Sequence, residues 1–151
     1  MQAITRFSIV EADEHAGSCV VAFDGRPLAT VFAGAAIEAQ FALDAAETLL
    51  ILSDADPYDS GLHIYLLNNA GDIVDALEGG GAFQPGVFKL HSVLASALRF
   101  EFFTNDEIYQ LLVAEQAQMH FIAAPGWRYK SKLKLHRFTL TTPSDGNKDA
   151  A

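Results

Sequence analysis

Leu62-His-Ile-Tyr-Leu-Leu67, Asn68-Asn-Ala-Gly-Asp72 and Ile73-Val-Asp-Ala-Leu77 form the clearest hairpin in the chain. Two apolar runs flank five residues of turn chemistry. Asn and Asp side chains bond to nearby backbone, and Gly reaches positive φ without a Cβ clash. Bounded runs this short read as strands rather than helices. Thr48–Ser53 (TLLILS) has the same character upstream. Nearer the start, Ile4, Arg6, Ser8 and Val10 alternate with Thr5, Phe7 and Ile9, and Ser18–Asp24 is β-branched and aromatic. Asp24-Gly25-Arg26-Pro27 is a second turn, and Leu28–Phe32 and Ile37–Leu43 follow as strands.

Downstream, Gly79-Gly80-Gly81 and Pro85-Gly86 make a loop before the strands Val87–His91 and Leu98–Phe103. Gln118–Ala123 and Trp127–Thr141 read as the last two strands, joined by Ala124-Pro125-Gly126. Turns recurring at this spacing imply an all-β fold, an antiparallel β-sandwich or flattened barrel of about 10–12 strands with one or two short helices. Ser92–Leu98 is one candidate helix. Residues 33–48 read as strand, although Ile37 and Phe41 at i, i+4 also allow a helix. Residues 105–117 remain open. Thr104 and Glu107 have capping-box spacing with Ile108, Leu111 and Leu112 on one helical face, yet the same residues suit a hairpin's second strand.

At 151 residues and 50% hydrophobic, the chain is sized for a single domain and too apolar for intrinsic disorder. The domain is expected over 2–141, with a disordered tail at 142–151. No run approaches the apolar length of a membrane span, and Met1–Val10 lacks the form of a secretory signal. Cys19, alone, makes no internal disulfide, which points to the cytoplasm.

The formal net charge is −9. An excess of acids disfavours nucleic acid, whose binding depends on clustered cations. The charge is also unevenly placed: before Arg128, four basic residues stand against seventeen acids, whereas Arg128, Lys130, Lys132, Lys134 and Arg137 fall within ten residues. Such a ribbon protects an edge strand from mispairing, meets an acidic surface of a second copy in a homo-oligomer, or holds an anionic ligand or lipid head group.

Asp54, Asp56 and Asp59 sit in one Pro- and Gly-containing loop and could supply oxygen ligands to Ca²⁺, although the spacing is not that of an EF-hand. If each turn reverses the chain, Glu11–Glu14, Asp54–Gly61, Glu78–Pro85 and Thr104–Glu107 share one end. The five histidines show no metal-binding pair spacing, and no nucleophile or phosphate-loop motif occurs. His63, His91 and His120 are candidates only for an enzyme pocket assembled in space.

The segments Leu62–Val74 (LHIYLLNNAGDIV), Val87–Leu90 (VFKL) and Leu98–Thr104 (LRFEFFT) are similar in order and spacing to the middle of the TerD-like tellurite-resistance and stress proteins. That resemblance implies a calcium-binding β-sandwich. The chain departs from the pattern where an acidic Gly-Asp-Asp-Glu-type segment would stand, carrying Glu78-Gly-Gly-Gly-Ala-Phe-Gln84 instead. The residues together favour a non-enzymatic binding or assembly module acting through its surface.

Overall fold

A computed structural model describes residues 1–44, 46–54, 56, 58–80, 84–119, 124–130 and 135–142. Among these residues, thirteen strands form three antiparallel sheets. The largest has six strands in the order β1 (Gln2–Ala3), β5 (Ala36–Ala42), β6 (Thr48–Ser53), β7 (Gly61–Leu67), β8 (Ile73–Gly80) and β12 (Trp127–Tyr129). A four-stranded sheet runs β13 (Leu135–Thr141), β11 (Ile108–Met119), β10 (Ala97–Phe103), β9 (Gly86–Val93). A three-stranded sheet consists of β2 (Phe7–Asp13), β3 (Ser18–Phe23) and β4 (Arg26–Ala33).

Side chains on successive residues of a strand point to opposite faces, and here both faces of the six-stranded sheet are covered. Leu49, Ile51, Leu62, Ile64, Leu66 and Leu77 join one core with Leu98, Phe100, Tyr109, Leu111 and Phe138 of the four-stranded sheet. Leu50, Leu52, Tyr65, Leu67 and Ala76 join a second core with Phe7, Cys19, Val21 and Phe32 of the three-stranded sheet. A strand buried on both sides needs apolar residues at nearly every position, and this explains the apolar runs of β6 and of β7 around His63. Each buried Leu or Ile contributes about 1.5–3 kcal/mol, against about 0–1 kcal/mol for an exposed ion pair. Burial, not charge pairing, therefore holds the layers together.

Turn chemistry sets the local registers. Asp24 and Gly25 lie at φ of 51° and 79°, the two-residue turn with both central residues at positive φ, and join Phe23 to its partner Arg26. The Asn68 carboxamide oxygen accepts the Ala70 and Asp72 amides at 2.9 and 3.0 Å, closing the β7–β8 turn. Gly79 faces Trp127 across the β8–β12 pair, where a Cβ would overlap the indole. The indole in turn meets Phe100, Phe102, Phe103 and Tyr109 edge-on.

Several expectations change. Among the described residues the sheets do not close into a barrel. No helix occurs among the described residues: Ser92–Leu98 is the end of β9, a turn and the start of β10. The open segments are strands, 33–48 containing β5 and 105–117 containing β11. Gln118 and Met119 belong to the end of β11 and are not a separate strand; Ala123 and its three predecessors lie outside the described residues. Trp127–Thr141 is not one alternating strand, because β12 pairs with β8 and β13 pairs with β11, in different sheets. Thr142 is buried, while the expected tail from 143 onward lies outside the described residues. No helix among the described residues is long and apolar enough to cross a membrane.

Candidate functional site

Three polar features occupy the faces and seams of these layers. The first is a row across the central sheet, set by the pairings of His63 with Glu78 and Glu78 with Arg128. The Glu78 carboxylate takes Arg128 Nη2 at 2.5 Å and Lys130 Nζ at 3.5 Å. The row lies on the face of the sheet that carries Leu52 and Tyr65, and Lys130 Nζ sits 5.8 Å above the Tyr65 ring. His63 Nε2 lies 2.7 Å from Asp54 Oδ1, a contact that Gly61 permits, since a Cβ there would overlap the Asp54 carboxylate. His63 Nδ1 is buried with no hydrogen-bond partner among the described residues, 4.0 Å from Glu78 Oε2. With one ring nitrogen on Asp54 and the other enclosed, His63 presents neither to a substrate.

The second feature is a buried carboxylate between the two larger sheets. Asp75 Oδ2 accepts the Arg137 and Phe138 amides at 2.7 and 3.0 Å, while Oδ1 faces His136 Nδ1 at 3.1 Å and accepts the Ala76 amide at 2.9 Å. The Tyr129 ring stacks on His136 at 3.7 Å, and its hydroxyl donates to the Phe138 carbonyl. Burial first, and the charge of Asp75 second, push the Tyr129 hydroxyl up to about 12. Asp75 and His136 are only 1% and 3% exposed, and the cluster ties β8 to β13.

The third feature is a cleft of about 410 Å³ at the seam between the three-stranded and six-stranded sheets. Phe23 and Leu28 form one wall, Leu43, Thr48 and Asn69 form the other, and the buried Phe7 and Leu67 form the floor. Arg6 and Glu47 stand at its rim, and both are paired. Arg6 Nε and Nη2 donate to the Asp24 carboxylate, with the guanidinium carbon 4.3 Å from the Phe23 ring centroid. The hydrogen bond from Arg6 holds Asp24 below its ordinary value. Both Glu47 oxygens take the fork of Arg137, at 2.8 and 2.7 Å, raising the arginine further.

The residues singled out from sequence are thus scattered. Asp54 is engaged by His63. The Asp56 carboxylate accepts the amides of Tyr58 and Asp59 in its own loop, and Asp59 is exposed beside it. No group of three His, Cys, Asp or Glu positioned to hold a metal ion occurs among the described residues. Three of the loops expected at one end do meet, since the Ser60 amide donates to Gln84, and Gln84 shares a shallow cleft with Thr104, Asn105 and Glu107. Of the basic ribbon, Arg128 and Lys130 meet Glu78, and Arg137 meets Glu47; Lys132 and Lys134 lie outside the described residues. His91 meets Glu101 on the outer face of the four-stranded sheet, and His120 lies outside the described residues.

Sequence reasoning missed the cleft and Asp75. The cleft arises where turns of separate sheets come together, a juxtaposition without local signature. Asp75 did carry a signal: a lone charge inside an apolar strand needs a buried partner when that strand is interior. Comparison of the chain with protein-family models, curated proteins and solved structures finds no match. The functional reading therefore rests on the residues themselves.

Proposed function

We propose that the protein is a non-enzymatic binding module whose ligand occupies the cleft between the three-stranded and six-stranded sheets. One observation carries this reading: the cleft has an apolar floor, and its charged rim groups are each paired with a residue outside it, Arg6 with Asp24 and Glu47 with Arg137. A volume of about 410 Å³ lies in the range of small-molecule sites, roughly 300–1,000 Å³. Among the described residues, no histidine or cysteine lines the cleft. Recognition fits such a lining better than acid–base or nucleophilic chemistry. The net charge argues against nucleic acid, and a single buried cysteine suits a reducing compartment such as the cytoplasm.

The test is amide NMR with a mixture of small apolar fragments. Shifts should concentrate at Leu43, Thr48, Leu67 and Asn69; unmoved amides, or movement confined to other faces, would reject the cleft. Self-association is a second reading, supported by Arg128, whose side chain is 56% exposed on the terminal strand of its sheet. Sedimentation of the wild type decides it, and a monomer at all concentrations removes it.

A further inference from the structure

We infer that the cleft selects an uncharged, largely apolar molecule and excludes ions, an inference that rests on the cleft being the binding site. The apolar surface is supplied from both sides. Phe7 and Leu67 are buried at its floor, Leu28 and Leu43 are half-buried at its sides, and the Phe7 and Phe23 rings lie 4.7 Å apart at 49°. Removing apolar ligand surface from water against these groups is the favourable term.

The rim decides the charge of the ligand. A buried ion needs an opposite charge or several hydrogen bonds to offset its lost hydration. Arg6 is committed through two of its nitrogens to Asp24. Both oxygens of Glu47 are committed to Arg137. An entering anion would compete with Asp24 for Arg6, and an entering cation would compete with Arg137 for Glu47. The Glu47–Arg137 fork is bidentate and part-buried, the stronger kind of side-chain contact, while the Arg6–Asp24 pair is half-exposed. The remaining rim groups are neutral. The Thr48 hydroxyl and the Asn69 carboxamide carry no hydrogen bond to another described residue. They can donate to and accept from a hydroxyl, carbonyl or amide of the ligand. Two polar groups above an apolar floor describe a neutral molecule with one polar end.

The experiment uses a matched pair of fluorescent probes, uncharged N-phenyl-naphthylamine and its sulfonate, anilinonaphthalene sulfonate. Titrations at about 0.3 M salt screen the long-range field of the acidic protein. A second protein, Ala46→Trp, fills the mouth of the cleft from an exposed position outside both cores. Its fold is verified by circular dichroism and by a thermal midpoint matching the wild type. The neutral probe should bind the wild type with one site, at least about tenfold tighter than the sulfonate, and Ala46→Trp should abolish that binding. If the sulfonate binds equally or better and Ala46→Trp blocks it, the cleft stands as the site and the selection for uncharged ligands falls. If neither probe binds, or if Ala46→Trp leaves binding unchanged, the cleft itself is overturned as the site.

Discussion

Four contacts converge on the Asp75 carboxylate, three of them from backbone amides. Leaving buried donors unpaired is more costly than the net value of a hydrogen bond, at roughly 1–3 kcal/mol per group. Asp75→Ala should therefore lose about 3–5 kcal/mol of unfolding free energy in urea, and a loss below 1 kcal/mol would show that water replaces the carboxylate. Tyr129, in the same cluster, sets a pH limit. Its hydroxyl is raised from 10.0 to about 12 in the folded chain. A folded value above the unfolded one gives stability that is complete below about pH 10 and is lost as the pH rises toward 12, because the unfolded chain releases its proton first. Tyr129→Phe should flatten the alkaline limb of the stability curve above pH 10, measured by urea titration at each pH, while also losing the hydrogen bond to the Phe138 carbonyl.

At the scale of elements, the three-stranded sheet is fixed to the central one by side chains that imitate backbone. The Gln40 carboxamide on β5 accepts the Arg6 and Phe7 amides at 2.8 and 2.7 Å and donates to the Phe7 carbonyl at 3.2 Å. The Tyr65 hydroxyl performs a similar service for the amide and carbonyl of Ala33. Gln40→Ala should cost about 1–3 kcal/mol and speed hydrogen exchange at Arg6 and Phe7 while leaving β7 amides protected; unchanged exchange at both residues would refute the clamp. These contacts also mark the boundary of what the sequence revealed. The Leu62–Leu77 hairpin and the Asp24-Gly25 turn were readable because their causes lie within a few adjacent residues. The change of sheet between Tyr129 and Leu135 was not, since strand alternation specifies a face but not a partner. The apolar runs in β6 and β7 identified strands, yet a central layer with cover on both sides follows only once two separate cores are seen. The charged residues proved hardest to place: Asp54 and Glu78, far in sequence from Arg128 and Lys130, end in one row with them because β6, β7, β8 and β12 are neighbours.

For the molecule as a whole, both cores share the side chains of a single sheet, so removing either outer layer exposes Leu and Ile on the layer that remains. The outer layers should therefore unfold with the centre in one transition, as small domains usually do. The chain already contains what is needed to observe this. Its one tryptophan, Trp127, lies in the core shared with the four-stranded sheet, and its one cysteine, Cys19, lies in the core shared with the three-stranded sheet. Burial also raises the thiol above its ordinary value, which keeps it unreactive while the layer is closed. Indole emission and thiol labelling along a denaturant series should give one midpoint; an earlier midpoint for the thiol would mean that the three-stranded layer peels away first. One intrinsic fluorophore and one intrinsic nucleophile, in the cores on opposite faces of one sheet, make each half of the interior separately observable in the unlabelled wild-type chain.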